Sequence, residues 1–244
     1  MSNPEVRVVL DWDRVQFDDR RFKADIFDHV QALTDLEMKT ILHIYEATKD
    51  DDGYNDAAMA DAIAAEANVD PAIVLEALRS KFDAAPGTYI YPDAHQFDDA
   101  VYGVHPMSVI TAGLPSTQQK KIDTSGHAEQ FDSVHIVPNV RAAENKAEVI
   151  RELHEATGNS IVFFDDKIST IMHHHEVFRN NPHILPIFID REAPDGETSL
   201  ITWNKLSVAS LAKIIPMLNG EVEKPTVIGL QQLPGGRRGI VTEA

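Results

Sequence analysis

The chain has 244 residues, room for one large domain or a domain with a small insert, and its 43% hydrophobic content is that of a globular protein with a real core. It contains no cysteine, which excludes a disulfide framework and fits a reducing, cytoplasmic setting. A formal net charge of -17 argues against nucleic acid and anionic membrane as partners, so a phosphate-bearing ligand would need a local positive site or a metal. The opening MSNPEVR lacks the basic-then-apolar order of a signal peptide, and no apolar run reaches the roughly 18 residues of a membrane helix.

The first element is an apolar run, Val6, Val8, Val9 and Leu10, which ends abruptly in Asp11 and Asp13. A short apolar run bounded by polar residues reads as a buried strand, and ligands of a parallel α/β sheet bind beyond the carboxyl ends of its strands. The polar stretch QFDDRRFKAD reads as a loop leaving the sheet. From Ile26 to Phe82 the pattern is helical: Thr34 and Glu37 suggest a capping box for a helix through Tyr45. Ala57 to Ala67 is alanine-rich, and Asp70-Pro71 opens a further helix carrying Ile73, Val74, Leu78 and Phe82. These make a small α-helical insert, with AAPGTYIYPDA as the return linker.

A short helix over His95 to Tyr102 leads to a second strand, Met107 to Thr111, and a helix over Ser116 to Asp123. Val134 to Val137 is a third strand, and Ala142 to Thr157 is an amphipathic helix stopped by Gly158. A fourth strand, Ser160 to Phe164, runs into Asp165-Asp166; Ile184 to Ile189 is a fifth, and Ser207 to Leu218 reads as a helix. The segment beyond Gly220 has little core potential. Strands alternating with helices predict a Rossmann-like, doubly wound parallel α/β sheet. The domain boundaries expected are 1–20 and 95–220 for the α/β core, 21–94 for the helical insert and 221–244 for a tail.

Carboxylates at two carboxyl strand ends of one sheet would meet at one edge, with Thr111 adding a hydroxyl and Lys146 a cation. Hard oxygen ligands suit magnesium, and a lysine with a threonine suits a phosphoryl group. The ordered segments VVLDWDRV, SVITAG, the Lys146 of AENKAEVIREL, and IVFFDDK resemble the four motifs of the haloacid dehalogenase superfamily. The stretch KKIDTSGHAEQFDSVHIV and the helical insert, similar to that family's type-one cap, extend the likeness over roughly Val6 to Ile189.

That resemblance implies a magnesium-dependent phosphatase acting on a small phosphorylated substrate. Asp11 would be the nucleophile that forms an aspartyl-phosphate, and Asp13 the acid and base. Thr111 and Lys146 would hold the phosphoryl group. Asp165 and Asp166 would bind or position Mg2+ beside Asp11 and the backbone carbonyl of Asp13; which of the two is the direct ligand stays open. Members that cleave carbon–halogen bonds lack the second aspartate, so Asp13 favours phosphoryl transfer. Phosphomutase or phosphotransferase chemistry on the same intermediate, and a non-catalytic binding protein, are the alternatives.

Several other features read more simply. Lys120 and Lys121 are alternatives for the role of Lys146, but Lys146 opens the helix immediately before the fourth strand and is preferred. Adjacent helical residues point about 100° apart, so His173, His174 and His175 cannot all face one ion; they are expected on a helix, partly exposed. Tyr89, Tyr91 and Phe97 are expected to pack the insert onto the core. Trp12 is a candidate for the pocket mouth, and Arg14 for contact with substrate or solvent. Gly235-Gly236-Arg237-Arg238 reads as tail, since it does not sit between a strand and a helix.

Overall fold

The computed structural model describes residues 5–49, 53–191, 207–208, 226–232 and 238–243. A six-stranded sheet carries the core in the order β3-β2-β1-β4-β5-β6, with every pairing parallel. Its strands are β1 (Val6–Leu10), β2 (Met107–Ala112), β3 (Ser133–Val137), β4 (Ser160–Asp165), β5 (Ile184–Ile189) and β6 (Ser207–Val208). The central strands are covered on both faces, which is why they read as near-continuous apolar runs: Val8, Val9, Leu10, Val109, Ile110, Ile161, Val162, Phe163 and Phe164 are all buried. Pro186 lies in β5, opposite Phe163 of β4. Among the described residues β6 pairs only with Phe188 and Ile189, so Pro186 stands beyond that pairing, where a missing N–H is tolerated.

Four helices and one 3-10 turn separate β1 from the return to the sheet: α1 (Asp19–Thr34), α2 (Met38–Ala47), α3 (Asp56–Ala67), α4 (Pro71–Arg79) and the 3-10 turn Ser80–Asp83. Side-chain caps start three of them. Asp18 accepts from Arg21 N, Asn55 from Ala58 N and Asp70 from Ala72 N, with Pro71 occupying the first position of α4. Each cap satisfies an otherwise orphaned donor and stabilises its helix by about 1 kcal/mol. The helices close on one another through Phe22, Ile26, Val30, Ile41, Met59, Ile63, Val74 and Leu78, all buried. Four more helices pack on the sheet: α5 (Pro92–Val101), α6 (Pro115–Thr124), α7 (Ala142–Thr157) and α8 (Ile168–Phe178). By the right-handed rule for parallel crossovers, the strand order sets the connections leading to β2 and β3 on the opposite face from those leading to β4 and β5, the doubly wound arrangement that the alternation predicts. No helix among the described residues is long and apolar enough to cross a membrane.

Five expectations are corrected. Asp18 starts α1 three residues after Val15, so QFDDRRFKAD is mostly helix: Phe22, lone among polar neighbours, is the buried anchor of its first turns. Thr34 is not a cap for α2. It ends α1, its hydroxyl donates to Val30 O at 2.7 Å, and Asp35 closes the helix in the left-handed conformation with φ 57. Ser207 and Val208 are strand rather than helix, because they complete the sheet beside β5; 209–218 lie outside the described residues. The tail carries an antiparallel hairpin, β7 (Thr226–Gln232) with β8 (Arg238–Glu243), so Arg238 is a strand residue; Gly235, Gly236 and Arg237 lie outside the described residues. His174 is fully buried on α8, with Nε2 2.9 Å from Ala143 O, and burial pushes its imidazole down to about 4. It is a neutral core histidine between α7 and α8.

The strand order fixes where a site can form. The chain winds outward from β1 to β2 and β3, then crosses to β4 and β5 on the other side, so the topological switch point lies between β1 and β4. Leu10 pairs with Phe164, and Asp11 N donates to Phe164 O at 2.8 Å. Asp11 and Asp165 are therefore adjacent at the carboxyl edge of the sheet.

Candidate active site

The loop from Asp11 to Asp18 turns tightly over that edge. Arg14 has φ 64, a left-handed conformation, and its N–H donates to Phe17 O at 2.7 Å while Gln16 and Phe17 N–H groups both bond Trp12 O at 3.0 Å. Trp12 is the anchor of the loop, not a pocket wall: it is fully buried, stacked on Phe17 at 5.9 Å and edge-on to Phe131 at 6.1 Å. Alternation explains the difference, since residues 11 and 13 then face the cavity while residue 12 points into the core. The Arg191 guanidinium, just past β5, donates to the carbonyl of Val15 and holds Asp93 at 2.8 and 2.7 Å, which buttresses the loop from behind. Tyr89 packs on Phe17 and Phe22 with its hydroxyl 2.9 Å from Asp25, and Tyr91 reaches Asp18, so both join the helical insert to the core. Phe97 instead meets Phe164 within the core itself.

A cavity of about 470 Å³ opens over the sheet edge, between the strand ends and the insert. Asp11, Asp13, Thr111, Asp166 and Arg14 line its core side, and Phe22, Ile26 and Tyr45 its insert side. Thr111, near the end of β2, is 1% exposed. Lys146 lies beneath, 1% exposed, with Nζ 2.8 Å from Asp11 Oδ2 and 2.7 Å from Asp165 Oδ2. Asp11 Oδ1 accepts from Trp12 N at 2.8 Å, and Asp165 Oδ1 from Lys167 N at 2.7 Å. Lys146 thus stands between Asp11 and Asp165; Lys120 stacks over Phe82.

Asp11, Asp165 and Asp166 each offer a carboxylate oxygen within 4.8 Å of the others. Arg14 Nη1 stands 3.0 Å from Asp166 Oδ2, yet that buried oxygen makes no aligned hydrogen bond. Burial, together with Asp11 and Asp165, pushes the Asp166 carboxyl up to about 7. Burial also pushes Asp11 up, opposed by Lys146 and reinforced by Asp165. Three buried carboxylates, one with an under-bonded oxygen, fit the oxygen-only donor set of a hard divalent cation. Asp13 stands apart from this group. Its carboxylate is gripped by Lys121 at 2.8 Å and Gln118 at 2.9 Å.

These charges give a pH prediction. A carboxyl raised from 3.8 to about 7 by folding binds its proton more tightly in the folded chain. That contribution to stability is fully present below the ordinary carboxyl range and is lost as pH rises through about 7. A divalent cation bound by these carboxylates would offset the loss. Millimolar Mg2+ is therefore expected to raise the melting temperature of metal-free protein clearly at about pH 8 and far less at about pH 5, a contrast read by differential scanning fluorimetry.

Gln118 and Asp19 are site residues that the sequence reading did not name, and Lys121, weighed there only as a stand-in for Lys146, instead holds Asp13 and Asp19. The signal available was the spacing of Gln118 and Lys121, three apart on a polar helix that follows the Thr111 strand.

No family model and no curated protein matches the sequence. Solved structures do. A haloacid dehalogenase-like hydrolase from Burkholderia xenovorans is 16% identical with a TM-score of 0.65, over 88% of this chain and 96% of that one. An L-2-haloacid dehalogenase from Xanthobacter autotrophicus is 14% identical with a TM-score of 0.55, over 88% and 98%. The HAD-hydrolase YfnB from Bacillus subtilis, in a structure bound to magnesium, is 13% identical with a TM-score of 0.57, over 89% and 100%.

Proposed function

Taking the haloacid dehalogenase-like fold of this chain as the premise, we propose that it is a magnesium-dependent phosphatase that hydrolyses a small phosphomonoester through an aspartyl-phosphate on Asp11. One observation carries the reading: two aspartates with different partners face one cavity. Asp11 is bound by Lys146 within an acidic group, and Asp13 is held separately by Lys121 and Gln118. Cleavage of a carbon–halogen bond releases a halide that needs no proton, whereas an alkoxide leaving a phosphate does.

The chemistry assigned to each residue follows. An Asp11 carboxylate oxygen attacks phosphorus in line, the P–O ester bond breaks, and the leaving oxygen takes a proton from Asp13. Asp13, now a carboxylate, accepts a proton from water. That water attacks the aspartyl-phosphate, releasing phosphate and regenerating Asp11. Lys146 orients Asp11 and balances its charge, and the Thr111 hydroxyl donates to a phosphoryl oxygen. A divalent cation held by Asp11, Asp165 and Asp166 supplies neutralisation of the phosphoryl oxygens when bound. The insert serves as a cap that excludes water, with residues 21–94 as its extent and 1–20 with 95–220 as the core.

The test is phosphate release from an aryl phosphate and a panel of phosphorylated metabolites, with and without Mg2+, beside halide release from 2-haloacids. Magnesium-dependent phosphate release is expected. Halide release with no phosphate release would overturn the proposal in favour of the chemistry named for several structural relatives. Within the same assay, Thr111→Val is expected to lower kcat/KM about 10- to 100-fold with little change in melting temperature, because it removes one hydrogen bond to the phosphoryl group and keeps the buried shape.

A further inference from the structure

The reaction gives Asp13 a task but leaves two buried polar residues of α6 without one. That helix, PSTQQKKIDT, is polar almost throughout, yet Gln118 and Lys121 are 6% and 5% exposed. Three residues apart, they lie on one face of the helix, turned toward the loop after β1. Lys121 Nζ stands 2.8 Å from Asp13 Oδ1, and Gln118 Nε2 donates to Asp13 Oδ2 at 2.9 Å and to Ala112 O at 3.2 Å. Each carboxylate oxygen of Asp13 thus has its own donor, which fixes the plane of the group as well as its position. Lys121 has a second partner, Asp19 Oδ1 at 2.9 Å, and Asp19 also holds Lys23 at 2.6 Å. Its ammonium sits over the rings of Phe17 and Phe22 at 5.3 and 5.6 Å.

We propose that Lys121, assisted by Gln118, is the positioning residue for the acid/base carboxylate of Asp13, and that through Asp19 it sets this carboxylate in register with the first helix of the cap. A buried ammonium is costly unless it is paired. Shared between two carboxylates, Lys121 keeps Asp19 as a charged partner when Asp13 is protonated, so the buried ammonium is never stranded. Asp19 opens α1, and Asp13 follows β1 by three residues, so the one ammonium spans the junction of cap and core. A purely structural pairing has no need to converge both donors on an Asp13 side chain that remains 25% exposed in the cavity, while the Lys121 side chain is at 6%.

The inference rests on the phosphatase reading, and its test separates the two. Kcat/KM reports formation of the aspartyl-phosphate, a step in which a poor leaving group needs Asp13 and a good one does not. Lys121→Met is expected to lower kcat/KM for an alkyl phosphate about 100-fold or more, and for p-nitrophenyl phosphate less than about 5-fold. For the aryl ester kcat falls instead, since water attack still needs Asp13. If Lys121→Met does not fold, Gln118→Met is read the same way, with the same split at smaller size. Equal slowing of both esters, or faster turnover of the alkyl ester, overturns the inference while the phosphatase reading stands. Wild-type protein that cleaves neither ester overturns the reading, and the inference with it.

Discussion

Replacing Asp11 with Asn is expected to lower kcat/KM by about 10⁴-fold or more while leaving the fold intact. The size follows from the role: an amide nitrogen cannot attack phosphorus as the carboxylate does, and no neighbour takes over. Asp13 is engaged by Lys121 and Gln118, and Asp165 is fully buried behind the cavity wall. Stability is expected to hold for a separate reason. Asp11 belongs to a group of three carboxylates that repel one another, and Lys146 keeps Asp165 at 2.7 Å when Asp11 is neutral. Steady-state kinetics beside a thermal melt checks both parts. Loss of activity together with loss of the fold would mean that Asp11 is structural first.

Lys146→Met is expected to lose stability as well as activity, with the largest loss of stability of any substitution at the site. Its ammonium is the partner of two buried aspartates, at 2.8 and 2.7 Å. Removing one partner of a buried ion group leaves the others uncompensated, at a cost of about 3–5 kcal/mol. In a chain of this size that is a fall of roughly 10 °C in melting temperature. The sign of its pH dependence is fixed as well. Without Lys146, burial and the neighbouring carboxylates raise the Asp11 carboxyl further, so the folded variant gains from protonating it. The deficit relative to wild type is expected to be full at about pH 8 and to shrink at about pH 5. Activity is expected to fall about 10³-fold or more, because Asp11 loses its orientation and the phosphoryl group a nearby cation. A melting temperature unchanged at about pH 8 would contradict the burial and pairing described for Lys146.

What the sequence made legible follows from where its patterns are unambiguous. VRVVL and SIVFF are apolar runs stopped by aspartate, and a parallel sheet turns such runs into strands that deliver those aspartates to one edge. The register Leu10 with Phe164 completes that argument and brings Asp11 and Asp165 side by side. Lys146 could be read because its helix immediately precedes β4. Other features were hidden because they depend on packing at a distance. Trp12 sits between two polar aspartates and gives no local sign that Phe17 and Phe131 enclose it. Phe22 alone marks the buried face of the first turns of α1. Ser207-Val208 has no intrinsic reason to be strand except the open edge beside Ile189. The partnership of Lys121 with Asp13 spans 108 positions in the chain, and only the fold brings the two together.

The central claim is that Asp11 carries the phosphoryl group covalently. Wild-type protein mixed with a phosphomonoester and Mg2+, quenched in acid within one turnover and mapped by peptide mass spectrometry, tests it most directly. The account predicts the mass of one phosphoryl group on the peptide bearing Asp11, lost after hydroxylamine treatment and absent in Asp11→Asn. Phosphate release with no such adduct, or with the adduct on another residue, would contradict it.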